Sequence, residues 1–134
     1  MNILSELNEL LTNIGVSFET GIYRGKATDE YVVIVPLADI LEAFADNQPQ
    51  NEIQEVRLSL YCKSNYIRLR NRLTKALLEL EFTITDRRYI GFESETKYHH
   101  YVIDISKHYK YEISEEIGDS ESRLSETKTI EMEE

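Results

Sequence analysis

The hydrophobic period of this chain changes three times within 111 residues, and the order of those changes leaves few folds open. Ile3, Leu4, Leu7, Leu10, Leu11 and Ile14 recur at spacings of three and four, the pattern of an amphipathic helix, which Gly15 closes. The period then drops towards two. Phe18–Tyr23 predicts a short strand, and "RGKATDE" a turn after it. Tyr31–Leu37 is a β-branched run suited to a buried strand, with a continuation, bent at Pro36, through "DILEAFA". "DNQPQNE", residues 46–52, is a turn. Beyond it Val56, Leu58 and Leu60 face one way and Glu55, Arg57 and Ser59 the other.

A helical period returns with Tyr66, Leu69, Leu73, Ala76, Leu77 and Leu80, behind Ser64 or Asn65 as the cap. Phe82–Ile90 then predicts a strand, "GFESETK" a turn, and Tyr98–Tyr111 a last strand with Tyr101, Ile103 and Ile105 inward. Every strand-to-strand link is short. The economical expectation is an α+β fold, an antiparallel sheet with two helices packed on it. Residues 1–111 form a single domain on this reading, and 112–134 an acidic tail, flexible or ordered by a partner.

A chain of 134 residues buries roughly 65–70% of its unfolded surface, enough for a core without staples. Cys62, the single cysteine, has no intrachain partner and suits a small, reduced core residue. The first residues, "MNILSELNELL", lack the early positive charge of a signal peptide, and the longest apolar run is interrupted by Pro36. A soluble protein without membrane contact is expected. The net charge is −10, and nine of the 25 acids fall in residues 112–134 with only two of the 15 bases. The body is therefore nearly neutral, and no basic stripe is present to neutralise a run of phosphates.

Two candidate chemistries fail on spacing. His99 and His100, adjacent on a strand, point to opposite faces. His100, Asp104 and His108 share a face but are ~13 Å apart at each step, too far for one coordination sphere. No metal and no cofactor are expected. Asp86 with Glu95-Thr96-Lys97 echoes the Asp…Glu-x-Lys pattern of metal-dependent nucleases, in which two carboxylates hold the ion and the lysine stabilises developing charge. Here Glu95 and Lys97 fall in a polar turn, where that geometry is not expected. Without a Ser-His-Asp context, a glycine-rich phosphate loop or paired cysteines, the chain reads as a non-enzyme. The positive signal is aromatic. There are nine tyrosines and no tryptophan, and Tyr98, Tyr101, Tyr109 and Tyr111 cluster on the last strand. Tyrosine's apolar face and polar tip suit contacts between subunits, as well as half-buried sheet positions.

The blocks "ADNQP", "QEVRLSL", "FTITDRRYIG" and "YHHYVIDISKHY" carry a resemblance. Over residues 31–112 the chain resembles a family of small structural proteins of tailed bacteriophages and prophages. "FTITDRRYIG" followed by "YHHY" is its most specific part, whereas the first helix and the acidic tail match only in character. That family is similar to the tail-terminator, or tail-completion, proteins of long-tailed phages. The resemblance implies a tail-terminator-like fold and a homo-oligomer, a hexameric ring on the head-proximal end of the tail. Its partners would be the tail tube protein and the head connector or completion proteins, with DNA only passing through the lumen. It further implies a virion location after assembly in the host cytoplasm. A head-completion or adaptor subunit of the connector is the neighbouring alternative, and a nuclease using Asp86, Glu95 and Lys97 a remote one. The candidate subunit or partner contacts are Asp46, Gln48, Gln50, Arg57, Asp86, Arg87, Arg88, Tyr98, His99 and Tyr109. Phe82–Tyr111 is expected to form a hairpin wall whose charges Asp86, Arg87 and Arg88 pair with each other, with Asp104 or with Glu55.

Overall fold

The computed structural model of the chain describes residues 2–22, 25 and 28–111. The expected acidic tail, 112–134, and Tyr23 at the end of the first expected strand lie outside the described residues.

The elements, in chain order, are α1 (Ile3–Ile14), β1 (Ser17–Thr20), β2 (Glu30–Glu42), β3 (Asn51–Cys62), α2 (Tyr66–Glu79), β4 (Thr83–Glu93) and β5 (Tyr98–Lys110). They build one five-stranded sheet in the order β1-β2-β3-β5-β4. The helix–strands–helix–strands order is as expected, and the fold is α+β.

One expectation is corrected. The sheet is mixed, because β1 runs parallel to β2, with Ser17 opposite Tyr31 and Thr20 opposite Ile34. The short link that suggested a hairpin instead returns the chain to the starting end of its neighbour. β1 has only four residues, ~13 Å of rise, and the nine residues 21–29 can retrace that length. Gly21, at φ 84°, starts the return and donates its N–H to the Ile34 carbonyl.

The other strand pairs are antiparallel. Lys63 N–H bonds the Asp29 carbonyl while Tyr61 stacks on Tyr31, so β3 descends as β2 rises. Arg57 meets Asp104 and Tyr61 meets His100, which sets β5 against β3 in the same sense. β4 pairs antiparallel with β5, with register shifts between Ile84 and Asp86 and between Tyr89 and Gly91. Each shift marks a bulge, at Thr85 and at Ile90.

The described residues divide into two compact units. The first, residues 2–40 and 53–109, holds both helices and most of the sheet. Its core gathers Leu7, Leu10 and Leu11 of α1, Leu69, Leu73 and Leu77 of α2, and the alternating Val32, Ile34, Val56, Leu58, Leu60, Ile103 and Ile105 of the strands. Tyr101, Phe82 and Cys62 complete it, all buried. Helices with three or four apolar positions per two turns bury that stripe against strands that present every second residue. The two helices therefore cover one face of the sheet.

Caps and clamps fix α1. Asn2 accepts a hydrogen bond from Ser5 N–H at 2.9 Å, and buried Gln54 on β3 accepts from Ile3 N–H at 2.8 Å. These satisfy donors that the helix leaves orphaned in its first turn. At the other end Arg72 of α2 donates to the Ile14 carbonyl at 2.7 Å and pairs with Glu30 at 3.3 Å. Both helices end the same way, on a left-handed residue. That residue is Gly15 after α1 but Glu81, at φ 66°, after α2. Glu81 N–H bonds the Leu78 carbonyl and Phe82 N–H the Leu77 carbonyl, a Schellman closure whose Leu77 and Phe82 both belong to the core.

The second unit contains Leu41–Glu52 and, among the described residues, Lys110 and Tyr111. Ala45 and Gln48 exchange N–H···O bonds of 2.8 Å around Asp46 and Asn47, both at positive φ (52° and 61°). Two central residues with positive φ define the tight hairpin turn that Asn and Asp tolerate best. The expected "DNQPQNE" turn is therefore present. Gln50 N–H bonds the Glu42 carbonyl, and Tyr111 N–H bonds the Gln50 carbonyl.

Candidate functional site

The face of the sheet opposite the helices carries charge at its centre. Arg57 projects from the middle of β3 and Asp104 from the middle of β5. They meet in a two-pronged pair, Nε to Oδ1 at 2.8 Å and Nη2 to Oδ2 at 3.0 Å. The fork geometry of a guanidinium matches a carboxylate in this way and fixes both side chains. The Asp104 bond, followed by burial acting against it, leaves the Arg57 guanidinium with its pKa raised above the ordinary arginine value. Next to them on β4, Asp86 lies opposite Asp104 and bonds Arg88 two residues on. Asp104 is thus taken by Arg57, and the β4 charges pair within their own strand. Among the described residues Glu55 has no part in it. Arg87 points to the other side of β4 and donates to Thr74 of α2 at 3.1 Å.

Aromatic rings occupy both faces at the end of the sheet near the β4–β5 turn. On the helix side, Tyr66 of α2 packs near Tyr89, His99 and Tyr101, with centroids 5.1, 5.4 and 5.8 Å away, and Phe92 lies 4.8 Å from His99. Tyr89 hydroxyl and His99 Nδ1 are 3.0 Å apart. On the opposite face Tyr61 stacks between Tyr31 at 4.9 Å and His100 at 4.3 Å, and Tyr98 meets both tyrosines edge-on. Gly21, Ile22, Tyr31, Val33, Tyr61 and Glu93 line an open cleft beside this stack. His100 Nε2 is buried and has no hydrogen-bond partner among the described residues. Burial pushes the His100 pKa below the ordinary histidine value, Glu93 opposes the shift and Arg57 adds to it. Adjacent histidines facing opposite sides of a strand are thus each absorbed in a different aromatic group.

The candidate contact residues divide by environment. Tyr98 is buried and its hydroxyl donates to the Thr28 carbonyl, so it serves the interior of the first unit. Tyr109 is half-buried and bonds Glu6 of α1, while Lys107 pairs with the same carboxylate at 2.8 Å and caps the Leu80 carbonyl. Burial first, then the Glu6 bond, raise the Tyr109 pKa well above the ordinary tyrosine value. Arg57 is engaged with Asp104. Asp86, Arg87, Arg88 and His99 lie on or beside β4 and remain wholly or partly exposed. Asp46 and Gln48 are exposed in the tip turn, where the Gln50 side chain bonds the Gln48 carbonyl at 3.2 Å. Glu95 and Lys97 lie in the β4–β5 turn, whereas Asp86 is opposite Asp104, seven residues or ~23 Å of strand from Glu93. The nuclease trio is not brought together. Among the described residues no group of three or more His, Cys, Asp or Glu side chains could hold a metal ion.

The feature that sequence reasoning missed is the Arg57–Asp104 pair. Its signal was available. Asp104 is the one charge in the run "YVIDIS", and Arg57 lies at the matching depth of the neighbouring strand, where either is costly without a partner.

β4 forms one margin of the sheet. Among its residues Tyr89, Ile90 and Phe92 are large apolar side chains 43–50% exposed. Compared with known proteins, the chain matches no family model, and no curated protein is significantly similar to it. Among the described residues no helix is long and apolar enough to cross a membrane.

Proposed function

We propose that this chain is a virion structural protein of a tailed phage, a tail terminator that caps the tail tube as a ring and joins it to the head connector. This reading rests on the resemblance of residues 31–112, and one structural observation supports an assembly role. β4 is an 11-residue edge with no strand beside it among the described residues, and beside its charges it exposes Tyr89, Ile90 and Phe92, a long edge with apolar surface that a neighbouring copy could cover. A ring makes good use of such an edge, because heterologous contacts that close on themselves saturate every edge. The surplus of acid fits a passage for DNA, since a negative lumen repels phosphate.

The test is assembly itself. Purified protein examined by mass measurement and negative-stain imaging is expected to form rings that bind the end of tail-tube polymers. Rings that bind connector complexes and ignore tubes would identify the adaptor role instead. A protein that stays monomeric alone and with either partner would refute both.

A further inference from the structure

The structure has a second open edge, and it complements the first. β1 pairs only with Tyr31–Ile34, so β2 from residue 35 to residue 40 has no strand beside it on that side among the described residues. Pro36 fits there, since a proline cannot donate to a ladder and is confined to edges. Leu37 and Ile40 on this stretch are 47% and 44% exposed, and Asp39 is exposed and forms no bond among the described residues. The stretch carries an acid and no base. Across the sheet, the β4 edge carries Asp86, Arg87, Arg88 and Glu93 and no lysine or proline. Arg88 is bonded to Asp86, and Asp39 of a neighbouring copy would give its guanidinium a second carboxylate.

We infer that β4 of one copy adds to residues 35–40 of β2 in the next copy, continuing the sheet around the ring. This rests on the ring reading above and names its subunit interface. The two edges lie at opposite sides of one sheet, the arrangement a heterologous contact requires. β4 is antiparallel to β5, β5 to β3 and β3 to β2, so β4 and β2 run in opposite senses. Rotation about an axis along the strands preserves those senses, and the two edges therefore meet antiparallel. In that sense, placing Arg88 opposite Asp39 also places Ile90 opposite Leu37. One register thus matches a cation to an anion and an exposed apolar residue to another, both pairings that favour a sheet. The bulges at Thr85 and Ile90 bracket a straight run of four residues on β4, Asp86–Tyr89, and the register pairs Ile90 at the second bulge.

The test uses the full-length protein, with urea stability checked for every variant. Arg88→Glu and Asp39→Arg, each on the exposed surface, should each weaken self-association at least tenfold in sedimentation. Combining the two should restore it. Paired strands bring facing Cα atoms to about 4.5–5.5 Å, within disulfide reach. Arg88→Cys with Asp39→Cys, or Ile90→Cys with Leu37→Cys, should therefore give oxidised ladders up to the ring. Cys62 is buried and does not compete. Rings that persist in both charge variants and yield no ladder would overturn the β4–β2 pairing and leave the ring reading standing. Cross-linking that stops at closed dimers would uphold the pairing and overturn the ring. A wild-type chain that is monomeric alone and on tail tubes would overturn both.

Discussion

Arg57 and Asp104 meet through two hydrogen bonds, of 2.8 and 3.0 Å, across neighbouring strands in the middle of the helix-free face. The aspartate side chain is 15% exposed, so solvent screens this pair far less than the Asp86–Arg88 pair at the margin. Asp104→Ala should cost about 2 kcal/mol, the range of a hydrogen bond to a charged group whose partner is then stranded. Arg57→Leu with Asp104→Leu should cost less than the sum of the single changes. Urea denaturation of the four proteins measures the coupling. A coupling near zero would mean that the pair does not hold the sheet.

Glu81 occupies, after α2, the left-handed position that Gly15 fills after α1. Glu81→Gly should therefore stabilise the protein, by about 0.5–1 kcal/mol, because a Cβ is strained there and glycine is not. Gly15→Ala should destabilise it for the same reason. Thermal unfolding of both variants reads the two signs.

Tyr109 is held in its neutral form by burial and by the Glu6 carboxylate. Its folded pKa lies above the unfolded value of 10.0, so the stability it contributes is complete below pH 10.0 and fades as pH rises further. Tyr61 shifts in the same direction. Wild type should lose stability above pH 10.0 more steeply than Tyr109→Phe, with Tyr61→Phe as the control for the second tyrosine. Parallel pH curves for wild type and Tyr109→Phe would contradict this.

His100 sends the opposite signal at the acid end. Its folded pKa lies below the ordinary histidine value of 6.5, so the neutral ring is favoured in the fold. That contribution is full above pH 6.5 and is lost as pH falls through the lower folded value. His100→Phe should flatten the decline in denaturant midpoint between about pH 7.5 and 5, a window set by the ordinary histidine pKa.

The tip turn tests a role that folding does not need. Gln48 and Asp46 are exposed there, and the turn is closed by backbone bonds between Ala45 and Gln48. Asp46→Ala with Gln48→Ala should change stability by less than about 0.5 kcal/mol, as surface substitutions do. If the tip docks onto the tail tube or connector, the same variant should fail to complete tails in a virion assembly assay. Normal assembly would reduce the turn to a connection.

Periodicity carried most of the architecture. Leu7, Leu10 and Leu11, Leu69, Leu73 and Leu77, and the alternation of Val56, Leu58 and Leu60 are all buried as their spacing implies. The direction of β1 was not legible, because a four-residue strand leaves too little pattern to show which end of its neighbour it meets. The choice between Ser64 and Asn65 as cap depended on backbone geometry, and Asn65 accepts from Arg68 N–H. Of the site, the charged run 86–88 was visible as a cluster needing partners. Which partner each takes was not visible, since pairing across β3, β5 and β4 depends on a strand order that skips α2.

The bonds that clamp α1 have a consequence for how the chain is made. Helix α1 is made before the residues that hold it, Gln54, Arg72, Lys107 and Tyr109, and two of those contacts span more than 100 residues. Until β5 emerges, Glu6 has neither its lysine nor its tyrosine, and the apolar stripe of α1 has only part of its sheet to lie on. Closure is therefore a late, long-range event of the kind that makes folding slow. A nascent chain cut short before Lys107 would present Leu7, Leu10 and Leu11 to its neighbours during synthesis, when copies on one message are most crowded. The chain thus withholds its apolar helix face from neighbours only once β5 is in place.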